Sequence, residues 1–182
     1  RLSKRIMYSL RSLVKFGTLH KGIIIKGPLE ITNFRRIVIG KNVYFSRNII
    51  LNVFNNGKLQ LEDGVYIGNC CHINCANSIS IRKNTLLADN VYIADVDHEY
   101  RDVSMPIKYQ GYTVGGDIII DSGSWIGANS IILPGVRIGK NSVIGANSIV
   151  SSDIPDYCVA VGIPAKVIKR FDNIKKEWII EK

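Results

Sequence analysis

From Ile120 onward an aliphatic residue returns at every sixth position, at Ile120, Ile126, Ile132, Ile138, Ile144 and Val150. Four places after each stands a small or β-branched residue: Ser124, Ser130, Val136, Ser142, Ser148 and Ile154. Glycine follows the aliphatic residue directly at Gly127, Gly139 and Gly145. The same frame runs earlier in shorter blocks: Ile39, Phe45 and Leu51; Leu61, Ile67 and Ile73; Ile81, Leu87 and Ile93. An amphipathic helix repeats its apolar stripe at about 3.6 residues and a half-buried strand at about 2, so a sustained period of six fits neither a helix bundle nor a doubly wound sheet. It predicts an all-β solenoid. Each hexapeptide supplies one short strand and one turn, three of them close a coil, and the aliphatic positions stack as columns inside a triangular prism. Gly and Asn at the corners permit positive φ. The early blocks are offset by 22 residues (39 to 61) and 20 residues (61 to 81), so their corners carry small extra loops.

The strict frame stops at Ile93 and resumes at Ile118 to Ile120. The interruption, residues 99–117 after the run Asp95-Val96-Asp97-His98, carries Met105-Pro106-Ile107 and a glycine-containing tip at Gly111, Gly115 and Gly116. A loop of this length in a compact repeat is usually functional. Outside the repeat, residues 1–17 space Leu2, Ile6, Leu10, Leu13 and Val14 among Lys and Arg and end at Gly17, which predicts a basic amphipathic helix. Such a helix caps the open end of the solenoid, or rests on an anionic membrane surface. The expected organisation is this cap, a β-helix domain over residues 18–168, and a tail over 169–182 whose segment Asp172 to Lys182 reads as a short terminal helix.

The chain has 182 residues, with 24 Lys+Arg against 15 Asp+Glu, a net charge of +9. That length supports a core without disulfides or a structural metal. The surplus charge points to an anionic partner, but no zinc-finger spacing, helix-turn-helix pattern or aromatic RNA-binding signature accompanies it, so no nucleic acid is expected. No apolar run is long enough to span a bilayer, and the first residues lack the pattern of a secretory signal; the cytoplasm is the expected compartment. The chain opens on Arg1 rather than Met, which leaves open what precedes it. The run Cys70-Cys71-His72-Ile73-Asn74-Cys75 has the ligands but not the paired spacing of a zinc site, so no metal is expected. Cys71 reads as an apolar filler, and Cys70, Cys75 and Cys158 as surface or corner thiols. Without a His partner in the frame they supply no covalent nucleophile.

Only three histidines exist: His20, His72 and His98. The first two read as structural. His98 stands at the mouth of the long loop between Asp97 and Glu99, either of which would orient an imidazole that takes up a proton.

The repeat, the histidine before the loop, the block Trp125-Ile126-Gly127-Ala128-Asn129, the segments Ile132-Leu133-Pro134-Gly135-Val136 and Ile144-Gly145-Ala146-Asn147-Ser148, and the terminal run Val161-Gly162-Ile163-Pro164-Ala165-Lys166-Val167-Ile168 together resemble the hexapeptide-repeat acyltransferases. The resemblance covers about Ile37 to Ile168 and implies a left-handed parallel β-helix, a hand that spacing does not give, since parallel crossovers are ordinarily right-handed. It implies acetyl-CoA as co-substrate, a homotrimer with sites between prisms, and His98, 17 residues after Ile81, as general base. By motif position Ala128 and Ala146 correspond to backbone contacts of the cofactor, one of them near the developing oxyanion. Ser151 and Ser152 correspond to the stretch beside its pantetheine and nucleotide, and Lys166 and Lys169 to cations facing its phosphates. Trp125 would wall the acetyl or acceptor pocket, or cover the prism. Where galactoside and maltose acetyltransferases place an acceptor-contacting Asn, this chain has Gly68 with Asn69 beside it, and their N-terminal substrate helices have no match. The pattern Asp97-His98-Glu99-Tyr100 with Pro106-Ile107 is closer to O-acetyltransferases of polysaccharide or lipopolysaccharide synthesis. The resemblance therefore implies transfer of acetyl from acetyl-CoA to a sugar hydroxyl on a glycan acceptor. An amino-sugar N-acetyltransferase and a non-enzymatic scaffold stay open. A zinc hydratase of the same fold needs three converging histidines, and a nucleotidyltransferase needs a further domain; this chain offers neither.

Overall fold

The computed structural model describes residues 22–54 and 56–181, together with the backbone of Ile6–Met7. Three parallel sheets form the faces of a prism. The first face stacks Leu29–Ile31, Ile49–Val53, His72–Cys75, Tyr92–Ala94, Ile131–Ile132 and Ile149–Val150. The second stacks Ile37–Ile39, Lys58–Leu61, Ser78–Ile81, Ile118–Ile120 and Arg137–Ile138, and the third runs from Ile24–Ile25 through Tyr44–Phe45, Tyr66–Ile67, Leu86–Leu87, Trp125–Ile126 and Val143–Ile144 to Cys158–Gly162.

The period-six aliphatic residues become three internal columns. Ile31, Leu51, Ile73, Ile93, Ile132 and Val150 line the first face. Ile39, Leu61, Ile81, Ile120 and Ile138 line the second, and Phe45, Ile67, Leu87, Ile126, Ile144 and Ala160 the third, all buried. Each aliphatic side chain removed from water contributes about 1.5–3 kcal/mol, which makes these columns the main stabilising element. The small slot four places later is buried too, and its serines are satisfied by the next coil: Ser124 Oγ donates to Gly139 O at 2.7 Å and Ser142 Oγ to Pro155 O at 2.7 Å. Ile154 departs from the frame. It bridges Ile138 and continues the second-face column, because the coil after Val150 is shortened at Ser151-Ser152-Asp153.

At the edge between the third and first faces, Asn48, Cys70, Asn90, Asn129 and Asn147 turn the chain at positive φ. At four of the five the residue type follows from the conformation, since Asn tolerates the left-handed region that other side chains avoid; Cys70 is the exception. Gly127 is demanded by stacking: a Cβ there would meet Ala146 N at 2.6 Å and Ile144 O at 2.7 Å.

Both expected terminal helices need correction. Ile6–Met7 is a strand, antiparallel to Leu29–Ile31 on the first face, and the rest of the expected amphipathic helix, with its membrane contact, lies outside the described residues, as does His20. The expected tail helix is a β-hairpin: Ala165–Asp172 pairs antiparallel with Cys158–Gly162 and then with Glu177–Ile180. Asp172, which would cap a helix, instead accepts hydrogen bonds from Ile174 N at 2.8 Å and Lys175 N at 3.0 Å and closes the turn. Beyond it Trp178, Ile179 and Ile180 follow their β preference, with Trp178 edge-on to Phe171 at 5.4 Å.

Candidate functional site

The long loop is itself a hairpin. Val96–His98 pairs antiparallel with Tyr112–Val114, and a 3-10 turn at Ile107–Tyr109 occupies its tip. Its base is fixed by Asp95, which is fully buried: Oδ1 accepts Ala76 N at 2.6 Å, Oδ2 accepts Asn77 N at 2.9 Å, and its carbonyl accepts Gly115 N at 2.7 Å. Asn77 Nδ2 adds a bond to Asp117 Oδ1 at 2.6 Å on the returning strand. The hairpin therefore leaves the prism at the edge between the first and second faces with its root locked.

Under the hairpin, on the first face, lies a cleft of about 200 Å³ lined by Asn52, Phe54, Asn74, Tyr92, Val96, Asp97, His98 and Tyr112. His98 is exposed at its rim, its ring 5.4 Å from that of Tyr112, which in turn meets Phe54 edge-on at 5.5 Å. The floor is polar: Asn52, Asn74 and Tyr92, on three successive coils, are joined side chain to side chain at 3.2 and 2.9 Å, and Thr32 on the coil before bonds Asn52 at 2.9 Å. An imidazole facing such a cleft is equipped to take a proton from a bound hydroxyl.

The two carboxylates flanking His98 are engaged elsewhere. Glu99 bonds the Arg101 guanidinium and the backbone N–H groups of Tyr100 and Arg101 at 2.9 and 3.0 Å, and accepts Thr113 Oγ1 at 3.0 Å. The Arg101 side chain, first among these partners, holds the Glu99 carboxyl far below the usual carboxylate range. Asp97 Oδ1 accepts the backbone N–H of His98 at 2.8 Å, and among the described residues neither carboxylate bonds the imidazole.

The residues matched to cofactor binding lie apart from His98 in one chain. Trp125 is half exposed on the third face. Ala128 and Ala146 stack in successive coils at the edge between the third and first faces, with Ala128 O accepting Asn147 N at 2.9 Å. One coil earlier, Asp89 occupies the same slot and its Oδ1 caps Asn69 N at 2.7 Å; alanines in that slot cannot cap the coil before them, so the N–H groups of Asp89 and Ala128 stay available. Ser151 and Ser152 are exposed at the far end of the first face, and Lys166 and Lys169 are exposed on Ala165–Asp172 opposite Val161 and Val159.

The cysteines correct the expectation of surface thiols. Cys70 is exposed at the corner and Cys71 is internal as read, but Cys75 and Cys158 are also buried. Burial pushes the Cys71 thiol up to about 11 and the Cys75 thiol, beside Asp95, up to about 12. His72 packs edge-on against Tyr92 at 5.5 Å. Among the described residues no three His, Cys, Asp or Glu side chains converge to hold a metal. The sequence reading missed Asn52, Asn74, Tyr92 and Asp95. A usable signal existed for the first two, since Asn directly follows the column residue in two successive coils, after Leu51 and after Ile73.

A hexapeptide β-helix whose longest interruption holds a histidine over a polar cleft has the architecture of the hexapeptide transferases. Comparison with known proteins narrows it. The family described as "Bacterial transferase hexapeptide (six repeats)" matches residues 117–152. WbbJ of Escherichia coli strain K12, whose name assigns it to lipopolysaccharide biosynthesis as an O-acetyl transferase, is 32% identical over 161 residues, 85% of this chain and 82% of that one. The galactoside O-acetyltransferase of the same strain is 31% identical over 169 residues, 92% of this chain and 71% of that one. Among solved structures, a point mutant of AntD, an N-acyltransferase from Bacillus cereus in complex with dTDP and coenzyme A, superimposes with a TM-score of 0.72 at 25% identity, covering 90% of each chain. The chain belongs to the hexapeptide-repeat acetyltransferase family and has its left-handed parallel β-helix fold. No helix among the described residues is long and apolar enough to cross a membrane.

Proposed function

We propose that the protein transfers acetyl from acetyl-CoA to a hydroxyl of a sugar or glycan, in cell-surface polysaccharide or lipopolysaccharide synthesis, with His98 as general base. The observation that carries this reading is the imidazole of His98 at the rim of a cleft whose floor is a row of hydroxyl and amide groups, the groups a sugar needs. Acetyl-CoA supplies an acetyl group as an activated thioester. His98 takes the proton of the acceptor hydroxyl, the oxygen attacks the thioester carbonyl, and the open N–H of Ala128 donates to the oxygen on which charge develops. The proton on His98 then passes to the departing thiolate. Among the described residues no cysteine lines the cleft, and burial raises the pKa of the Cys71 and Cys75 thiols, which makes direct transfer preferable to an acyl-enzyme. Lys166 and Lys169 face the phosphates, Ser151 and Ser152 the pantetheine and nucleotide, Ala146 the backbone-contact groove, and Trp125 the acetyl end.

The assembly belonging to this reading is a homotrimer. His98 follows the edge between the first and second faces, whereas Ala128 and Ala146 lie at the edge between the third and first and Trp125 on the third face, which supports a site shared between copies. The outward column of the third face, Ile24, Tyr44, Tyr66, Leu86, Trp125, Val143 and Val159, is unbroken and apolar, as an interface would be. The compartment is the cytoplasm, where acetyl-CoA is available. A calorimetric titration with acetyl-CoA of wild type and His98→Ala, followed by thiol release with a panel of sugars, tests the function. Equal binding with turnover by wild type alone supports it; a folded wild type that binds no acetyl-CoA overturns it.

A further inference from the structure

The row Thr32, Asn52, Asn74 and Tyr92 has no part in the proton transfer, yet its last three members line the cleft that His98 overlooks. Thr32 also binds the Val53 backbone, but Asn52, Asn74 and Tyr92 stand on the outer surface of three different coils, where the core does not require them. From Asn52 onward their hydrogen bonds run one way. Thr32 Oγ1 accepts Val53 N at 2.8 Å and shares its one proton between Asn52 Oδ1 at 2.9 Å and Val53 O at 3.2 Å. Asn52 Nδ2 donates to Asn74 Oδ1 at 3.2 Å, and Asn74 Nδ2 donates to the phenolic oxygen of Tyr92 at 2.9 Å. A chain of like-directed hydrogen bonds polarises its members cooperatively. The last member is a phenol whose oxygen already accepts, and among the described residues nothing takes its single proton. The His72 ring, edge-on at 5.5 Å, supports the Tyr92 ring.

We infer that Tyr92 is an acceptor-recognition residue. Its hydroxyl donates to an oxygen of the acceptor next to the hydroxyl that His98 deprotonates, and Asn74 and Asn52 are positioning residues that aim it. This rests on the sugar-acetyltransferase reading and deepens it. The floor thus ends, at the cleft, on a phenolic O–H that no described residue accepts. Such a floor selects a ligand crowded with oxygen lone pairs, and the flanking Phe54 and Tyr112 rings suit the apolar face of a pyranose. The acceptor class is therefore a neutral sugar ring carrying adjacent oxygens.

The test is steady-state thiol release from acetyl-CoA with p-nitrophenyl glycosides of several hexoses and 6-deoxyhexoses as probes. Tyr92→Phe, which keeps the ring, is expected to raise the glycoside KM about threefold to tenfold, the range of one net hydrogen bond, and to leave the acetyl-CoA KM unchanged. Asn74→Ala should act in the same direction, and the double variant should be no worse than Tyr92→Phe alone, because Asn74 acts through Tyr92. An unchanged glycoside KM in Tyr92→Phe, or a rise in the acetyl-CoA KM instead, overturns the assignment while leaving the transferase reading intact. Independent, multiplying effects of the two substitutions overturn the positioning role of Asn74. A wild type that binds acetyl-CoA but acetylates none of the glycosides overturns the sugar-acceptor reading, and the assignment falls with it.

Discussion

Cys70, Cys71 and Cys75 stand within six residues, and their surroundings differ because the coil alternates inside and outside: Cys70 turns the corner at positive φ, whereas Cys71 and Cys75 point into the prism. In the native protein at pH 8 a thiol reagent is expected to modify one cysteine quickly, Cys70, and the other three only on unfolding; fast reaction of two or more would contradict the burial. A second prediction concerns Asp121, a nearly buried carboxylate between Arg82 at 2.7 Å and Arg137 at 2.6 Å. Burial alone would raise its pKa, but the hydrogen bonds from Arg137 and Arg82 prevail and hold it below the ordinary value. Its stabilising contribution is thus full above the unfolded carboxylate value of about 3.9 and is lost as pH falls through the lower folded value. Asp121→Asn should cost about 1–3 kcal/mol in urea unfolding at pH 7, a gap that closes toward pH 2; a gap independent of pH would contradict the pairing. At this scale the sequence was legible wherever a residue served the column. Tyr92 was not, and Asn52 and Asn74 showed only as an Asn recurring after the column residue, because outward positions of a coil take their meaning from stacking across coils about 20 residues apart, as in the Asn52 to Asn74 bond.

Among the elements, the long hairpin depends most on one side chain. Asp95 ties the preceding coil's corner to the hairpin root through two backbone N–H groups. Asp95→Ala strands both donors and is expected to destabilise the fold by about 2–4 kcal/mol, with faster hydrogen exchange at the Ala76 and Asn77 amides. Unchanged exchange at those amides would show that the corner does not rely on it. The hairpin was legible as an interruption of the frame between Ile93 and Ile118, but its pairing of Asp97 with Thr113 was not, since exposed strands lack an apolar alternation. The C-terminal segment misled for a related reason. Asp172 can open a helix or close a turn, and the choice was made by an open strand edge at Cys158–Gly162, a feature that exists only in the folded prism.

For the whole molecule, the three columns were readable almost residue by residue, because a solenoid repeats one local solution and each coil needs only its neighbours. The assembly is a different matter, since the exposed third-face column is consistent with the coil yet gives the isolated chain an apolar stripe along its full length. Leu86→Glu, on that stripe, is expected to convert a sedimenting trimer to monomer and to abolish transfer while the β-helix circular dichroism persists; a wild type that sediments as monomer would refute the shared site. The central claim is that this β-helix carries an acetyl-transfer site with His98 as its base. The measurement that tests it most directly pairs calorimetric acetyl-CoA binding with acceptor-dependent thiol release for wild type and His98→Ala. The account predicts equal binding and a kcat lower by about 10²–10⁴ in the variant. Transfer by His98→Ala at the wild-type rate would contradict it.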